Sequence, residues 1–174
     1  MLDNFGTNAG MPLKHSFAPI ADVDARLLIL GSLPGDRSLA AQRYYAHPQN
    51  QFWRLMSPVV GRDLVPLDYD DRLVVLRTRG VALWDVIGSA RRVGSTDAAI
   101  VDAEGNDIVG LIGRLPRLRA IAFNGGMAWK RGKTLLGHGA GHAALVPLPS
   151  SSPLHTIGLA AKQPEWSKLA AFLD

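Results

Sequence analysis

Cysteine is absent from this chain of 174 residues. Its absence excludes disulfides, thiolate nucleophiles, zinc–thiolate sites and iron–sulfur clusters held by cysteine. The five histidines show no HExxH or comparable ligand spacing. The sequence therefore predicts neither a metal site nor a bound cofactor.

Long apolar runs are also missing. No stretch approaches the roughly 20 apolar residues that span a bilayer, which argues against a membrane protein. Residues 1–26 lack the basic start and apolar core of a secretory signal, so we expect a cytoplasmic protein. Residues 1–25 are interpreted as an N-terminal arm, ordered or fraying, on a single domain of residues 1–174. The net charge of +4 suits a polyanionic partner.

The order of apolar segments predicts an α/β fold. Strands are expected at residues 26–30, 81–86, 118–123 and 143–148. Helices are expected at residues 37–43, 51–60, 70–79, 108–115, 126–136 and 163–172. Alternating strands and helices predict a central four-stranded parallel sheet covered on both faces, a three-layer α/β/α architecture.

The most informative stretch follows the first of these strands. GSLPGD at residues 31–36 forms a Gly-Pro-Gly turn, and YYAHPQNQFW at residues 44–53 is dense in aromatic, amide and imidazole groups. A flat heterocycle needs an aromatic face to stack on and amides to contact its edge. Because ligands bind outside the carboxyl ends of parallel strands, we expect a pocket here.

Polar groups follow the other strands at the same edge of the sheet. Asp85 lies near the end of VALWDV at residues 81–86, Asn124-Gly125-Gly126 follows the third strand, and LPSSSPLH occupies residues 148–155. Their convergence predicts one site.

These motifs, in this order, resemble the uracil-DNA glycosylase superfamily, and most closely its hypoxanthine-DNA glycosylase branch. The HPxNxFW run is also similar to mismatch-specific uracil and thymine-DNA glycosylases. The resemblance implies a base-excision repair enzyme that flips a deaminated base out of duplex DNA and hydrolyses its N-glycosidic bond. Hypoxanthine, uracil and xanthine are the candidate bases, and an abasic site is the product.

The resemblance also implies the catalytic group. Leu33 stands where the superfamily's best-known members carry an Asp or Asn that orients the attacking water. The catalytic role in the hypoxanthine branch belongs to the asparagine of HPxN, which is Asn50 here. Ser32 and Asp36 are further catalytic candidates. No lysine is marked as a Schiff-base nucleophile, so we expect a monofunctional enzyme acting as a monomer at the nucleoid.

Five residues are assigned to the base pocket. Phe52 is expected to stack under the flipped base, although an aromatic at helical spacing also suits a core. Gly35 replaces a tyrosine of strict uracil enzymes and is expected to leave room for a purine. Asp85 is expected to contact the base edge, the alternatives being a helix N-cap or a salt bridge to an arginine. His47 and Leu33 complete the set.

A late loop and two arginines are assigned to DNA. Ser150, Ser151 and Ser152 resemble a phosphate-binding loop, and Leu154 stands at the place of the intercalating residue. Pro153 and His155 flank that residue. The pair Arg91-Arg92, in a predicted Gly/Ser loop, supplies positive charge.

Two rival functions fit part of the pattern. GDRSL at residues 35–39 is close to the GDSL motif of serine hydrolases, but Arg37 stands where the serine belongs and the DxxH pair is missing. A non-catalytic module that binds nucleotides or damaged DNA would use the Gly-rich turn as a phosphate cradle, yet GxxxxGK[ST] is absent.

Overall fold

The computed structural model describes residues 10–174. Its strands are β1 (Leu13–His15), β2 (Leu27–Gly31), β3 (Val81–Asp85), β4 (Ile87–Arg91), β5 (Val101–Gly105), β6 (Ala120–Asn124) and β7 (Ala144–Leu148). Its α-helices are α1 (Asp36–Ala41), α2 (Phe52–Val60), α3 (Tyr69–Thr78), α4 (Ile108–Gly113), α5 (Gly126–Leu136) and α6 (Leu159–Ser167). Short 3-10 helices span Asp97–Ala99 and Lys168–Phe172. No helix within residues 10–174 is long and apolar enough to cross a bilayer.

The central sheet has four parallel strands in the order β3-β2-β6-β7. All five residues of β2 are buried, as the middle of a sheet covered on both faces requires. Leu27 and Ile29 belong to a core that also holds Leu55 of α2 and Trp166 of α6. Leu28 and Leu30 belong to a second core, which includes residues of α4 and α5. The predicted α/β/α layering is thereby confirmed.

A second sheet was missed by the sequence analysis. Strands β1, β4 and β5 form an antiparallel sheet in the order β1-β4-β5. Its strands are short and half exposed, and IGSAR and VDAEG carry little of the β-branched alternation typical of strands. The Gly/Ser loop predicted around Arg91 is therefore wrong, because Arg91 closes β4.

Residues 10–25 of the predicted arm are tied into the fold. Leu13 to His15 pair with β4, and Ile20 exchanges backbone hydrogen bonds of 2.9 and 2.8 Å with Leu83 of β3. The remainder of the predicted arm, residues 1–9, lies outside the described residues.

The closing helix begins earlier than predicted, at Leu159 rather than at residue 163. Pro164 lies inside it, although proline is typical of a first helical position and so misplaces a start inferred from sequence. The indole of Trp166 donates to the Pro149 carbonyl at 2.9 Å. Helix α6 is thus fastened to the segment that follows β7, at the edge where the predicted pocket lies.

Candidate active site

A cavity of about 750 Å³ lies at the carboxyl edge of the parallel sheet. Its size is typical of a small-molecule site. The sequence-predicted residues that line it are Ser32, Leu33, Gly35, Asp36, His47, Asn50, Asp85, Ser150, Ser151, Ser152, Pro153, Leu154 and His155. The segments after β2, β3, β6 and β7 meet at this cavity, as the sequence predicts. Phe52, Arg91 and Arg92 are not among the residues that line the cavity.

Asn50 is held in a fixed orientation at the start of α2. Its side-chain Oδ1 accepts a hydrogen bond of 3.0 Å from the backbone N–H of Phe52, and its own backbone N–H donates to the His47 carbonyl at 2.9 Å. Within residues 10–174, its Nδ2 donates to no other group. The amide therefore offers an N–H donor to the cavity, and a carboxamide is not a proton acceptor of useful strength.

Asp85 ends β3 with its carboxyl group buried, only 3% of the residue being exposed. Oδ2 is a buried oxygen without a hydrogen-bond partner among the described residues. Burial, reinforced by the neighbouring charge of Asp97 and opposed by Arg92, raises the pKa of Asp85 to about 7. A buried acceptor without a partner is costly, and a ligand that donates a hydrogen bond removes that cost.

Neither structural alternative for Asp85 is formed. β4 begins two residues after Asp85, so the carboxylate caps no helix. Among the described residues, Asp85 is in no ion pair within 4.0 Å, although Arg92 is near enough to influence its pKa. Its carboxyl group therefore lies in the cavity wall with neither of these partners.

Of the stacked pair Tyr45 and Phe52, Tyr45 is the ring that lines the cavity. The two rings are stacked with centroids 3.9 Å apart and planes 15° apart, and Phe52 is 0% exposed. The predicted stacking role of Phe52 is therefore corrected: it lies in the core beneath Tyr45, which lines the cavity. Tyr45 adopts a φ of 52°, a left-handed conformation that non-glycine residues rarely take.

Asn124, at the end of β6, connects the motifs of the site. Its Nδ2 donates to Tyr45 Oη at 3.2 Å and to Ser151 Oγ at 2.9 Å, and its Oδ1 accepts from the Ser151 backbone N–H at 2.8 Å. The Ser151 carbonyl in turn accepts from the Gln51 backbone N–H at 3.0 Å. One amide thus fixes the aromatic wall and the serine loop relative to each other.

The serine loop is folded by its own hydroxyls. Ser150 Oγ accepts from the Ser152 backbone N–H at 3.1 Å, and Ser152 Oγ accepts from that of Leu154 at 3.2 Å. Ser151 is 1% exposed and bound to Asn124, so its hydroxyl is not available to a phosphate and its predicted DNA contact is corrected. Leu154 is 64% exposed, as a residue that inserts into DNA would be.

The two arginines assigned to DNA both donate hydrogen bonds to backbone carbonyls of the protein. Arg91 Nη1 donates to the Met11 carbonyl at 2.9 Å. Arg92 is fully buried, and its Nη2 donates to the Pro34 carbonyl. Its guanidinium therefore supports the turn after β2 from behind and cannot reach DNA, which corrects that prediction.

Ser32 and Asp36 have different surroundings. Ser32 Oγ donates to Asp97 Oδ1 at 2.7 Å, while the half-exposed Asp36 carboxylate is paired with Lys14 Nζ at 2.5 Å. A serine nucleophile needs a base to take its proton. The serine of GDRSL is Ser38, a buried residue whose Oγ accepts from the Ala46 backbone N–H at 3.0 Å. Within residues 10–174 no histidine is hydrogen-bonded to it, so the serine-hydrolase alternative finds no support.

Residues 18–173 match the family model described as the uracil DNA glycosylase superfamily. The chain belongs to that superfamily. A hypoxanthine DNA glycosylase of Methanosarcina acetivorans is 39% identical over 154 residues, which cover 88% of this chain and 96% of that protein. A hypoxanthine DNA glycosylase of Methanosarcina barkeri is 42% identical over 112 residues, 64% of this chain and 71% of that protein.

A solved structure has the same architecture. The solution NMR structure of a candidate uracil DNA glycosylase from Methanosarcina acetivorans superimposes with a TM-score of 0.82 at 37% identity, covering 93% of this chain and 99% of that one. As a member of the superfamily, this chain is a DNA glycosylase, a hydrolase of N-glycosidic bonds, and DNA is its substrate.

Two positions where the chain departs from the superfamily pattern can now be placed. Leu33 is 7% exposed and brings only an apolar surface to the cavity, so it cannot orient water. A Cβ on Gly35 would lie 3.3 Å from Ser95 Oγ, and the expectation that Gly35 leaves room for a purine stays a prediction. The loop that carries Ser95 forms the wall there.

Three residues of this glycosylase site were given no role from the sequence. Tyr45 lies within the aromatic run, and Asn124 follows a strand, so both carried a signal in the sequence. Asp97 lies on a loop between strands that the sequence analysis did not find, and nothing in its local sequence marks it. Within residues 10–174, no group of three or more His, Asp or Glu side chains is placed to hold a metal ion.

Proposed function

We propose that this DNA glycosylase is monofunctional, that it excises hypoxanthine, and that uracil and xanthine are its further candidate substrates. The buried, unpartnered Asp85 Oδ2 in the cavity wall carries the proposal. Ionised, it accepts from the N1–H of hypoxanthine or the N3–H of uracil. Adenine has no N1–H and would leave the buried oxygen without a partner.

The aromatic wall suits a base that has left the helical stack. Tyr45 has one ring face against Phe52 and is held at its hydroxyl by Asn124. A ring already fixed in place loses little conformational entropy when a base packs on it, and base–aromatic stacking contributes about 1–3 kcal/mol. Tyr45 is therefore our candidate for the stacking residue.

Bond cleavage is assigned to electrostatic stabilisation. By analogy with glycosidases, the transition state is oxocarbenium-like, with negative charge developing on the departing base. The Asn50 N–H donor, fixed by Phe52, can stabilise that charge or hold the attacking water. Removal of one such preorganised donor typically costs 10²–10³-fold in rate, about 3–4 kcal/mol.

The serine loop and Leu154 are assigned to the extrusion of the nucleotide. The Ser150 and Ser152 hydroxyls can still donate to a phosphate, and the exposed Leu154 side chain fills the space left in the duplex. Unstacking costs a few kcal/mol, which an apolar wedge helps to offset.

We infer the absence of a lyase step from the position of the buried Lys162 amine. Lys162 is fully buried, its pKa is lowered by desolvation, and its Nζ donates to the Ser152 carbonyl at 3.2 Å. It is not among the residues that line the cavity, so it supports the serine loop and does not reach the sugar. One pocket acts on one lesion, so the proposal includes action as a monomer on chromosomal DNA.

The test is excision from labelled duplexes that carry a single deoxyinosine, deoxyuridine or deoxyxanthosine, without added metal. Free base and strand breaks that appear only after alkali would support a monofunctional glycosylase, and the relative rates rank the bases. Breaks without alkali would contradict the monofunctional assignment. Retained binding to the deoxyinosine duplex with no base released from it would overturn the proposed excision and leave a module that binds damaged DNA.

A further inference from the structure

The cavity contains a second partly buried acidic side chain that the proposed function does not use. Asp97 opens the 3-10 helix Asp97–Ala99 in the segment between β4 and β5, and it lines the cavity. Its Oδ1 accepts the 2.7 Å hydrogen bond from Ser32 Oγ. Within residues 10–174, its Oδ2 accepts no hydrogen bond, so one carboxylate oxygen is oriented and the other is available.

Attack by water on C1′ releases a proton, and a side chain that takes this proton speeds the step. Asn50 offers the cavity an N–H donor, and its only side-chain oxygen already accepts a hydrogen bond from the Phe52 N–H. Asp36 is paired with Lys14 at 2.5 Å, and Asp85 is occupied by the base edge in the proposed function. His47 Nδ1 accepts from the Gln49 backbone N–H at 3.0 Å.

Two other residues that line the cavity, Leu33 and His155, are weaker candidates than Asp97 for accepting the proton of water. Leu33 contributes no polar atom, and His155 is exposed at the mouth of the cavity with Leu154. Ser32 immediately precedes Leu33 in the turn after β2, so its hydrogen bond places the Asp97 carboxylate beside that turn. The loop from the second sheet thereby brings a carboxylate to a turn that has no side chain for water activation.

We propose that Asp97 is the general base of the reaction, a role that rests on the proposed function. The water oxygen bonds to C1′ of the deoxyribose, and the water proton passes to Asp97 Oδ2. The C1′–N bond breaks, its electron pair leaves with the base, and the base takes a proton from solvent. Asp97 returns its proton to solvent, so no oxidant or other co-reactant is needed.

The surroundings of Asp97 tune its basicity. Burial raises the pKa of Asp97, and the Ser32 hydrogen bond and the Arg92 charge lower it. Asp85 and Tyr45 face the same carboxylate from β3 and from the aromatic wall. A carboxylate whose pKa lies above its ordinary value is a stronger base while it is still ionised near neutral pH.

The experiment is single-turnover excision of hypoxanthine from a deoxyinosine duplex across a range of pH. D97N should excise about 10²–10⁴-fold more slowly than the unmodified protein, with duplex affinity and Tm retained. E104Q is the matched control, because Glu104 is an exposed carboxylate on β5, outside the cavity. It should excise at the unmodified rate.

Two further variants separate a catalytic role from a structural one. Formate added to D97A should restore part of the rate, because a small carboxylate can enter the space and accept the proton. S32A keeps the Asp97 carboxylate but loses the hydrogen bond that lowers its pKa. The acidic limb of the S32A rate profile should therefore move to higher pH, which a merely structural contact would not cause.

The outcomes are distinct. Excision by D97N at the unmodified rate would overturn the inference. So would a slow D97A without formate rescue combined with an S32A profile that does not shift. If D97N lowers the Tm, the S32A profile and the formate rescue decide the matter. No release of hypoxanthine by the unmodified protein would instead mean that the proposed function has failed.

Discussion

The carboxyl group of Asp85 packs directly over Gly31. A Cβ built on Gly31 would lie 2.6 Å from Asp85 Oδ1 and 3.2 Å from Tyr45 Oη. Real Cβ atoms essentially never come within 3.0 Å of another heavy atom, so a Cβ here would displace the Asp85 carboxyl and crowd the Tyr45 hydroxyl in this corner of the cavity. The last residue of β2 thus limits what the neighbouring strand β3 can present there.

Gly31→Ala should impair base binding strongly and should have a smaller effect on the stability of the fold. The added methyl group displaces Asp85 and Tyr45, and we expect excision to fall by at least ~10²-fold, the effect that misplacement of about 1 Å can have. Gly113→Ala is the control, because a Cβ there meets nothing within 4 Å. Single-turnover rates and Tm for both variants test this, and an active Gly31→Ala protein would contradict the close approach.

Asp85→Asn should stabilise the protein above neutral pH while impairing its activity. A carboxyl whose pKa rises from 3.8 to about 7 on folding makes unfolding easier as pH increases, because the native state then holds more protons than the unfolded state. The stability cost grows between about pH 4 and pH 7 and reaches about 4 kcal/mol above that range.

The measurement is the free energy of unfolding of Asp85→Asn and of the unmodified protein at pH 4 and pH 8. The difference should be small at pH 4 and should favour the variant at pH 8. Glu104→Gln, with an exposed carboxylate, should show no such dependence. An Asp85→Asn protein that gains no stability at pH 8 would contradict the buried, unpartnered carboxylate.

Asn50→Ala should reduce turnover by about 10²–10³-fold and leave duplex affinity nearly unchanged. Asn50→Asp is the informative partner variant. It keeps an oxygen for the Phe52 N–H but lacks the N–H donor, so it should be as slow as Asn50→Ala. A fast Asn50→Asp protein would show that the oxygen, rather than the donor, matters.

Leu154→Ala should slow excision from duplex DNA by about 10-fold and have little effect on single-stranded DNA, where no stacked partner must be displaced. Val74→Ala is a matched control, because Val74 is an apolar residue of α3 that is 57% exposed and does not line the cavity. Equal slowing on both kinds of DNA would argue against insertion into the duplex.

The parallel sheet was predictable because its signals are local. Apolar runs such as residues 27–30, followed by glycine turns, mark buried strands, and helix α5 was placed at its observed bounds, Gly126–Leu136, because Gly137 follows it. The antiparallel sheet was not predictable in the same way. Its strands gain stability by pairing with distant residues, as Leu13 does with Arg91, and their own composition favours no strand.

The sequence by itself determined the α/β architecture, the edge of the sheet that carries the site, and the resemblance that leads to Asn50, Asp85 and Leu154. Motif order and strand ends contain that information, because parallel strands bring their carboxyl ends together. Only the tertiary structure decided that Tyr45 covers Phe52, that Arg92 is buried, and that Ser32 holds Asp97. Those relationships depend on burial and on contacts between residues far apart in the chain, such as the 65 positions between Ser32 and Asp97, and no local pattern specifies them.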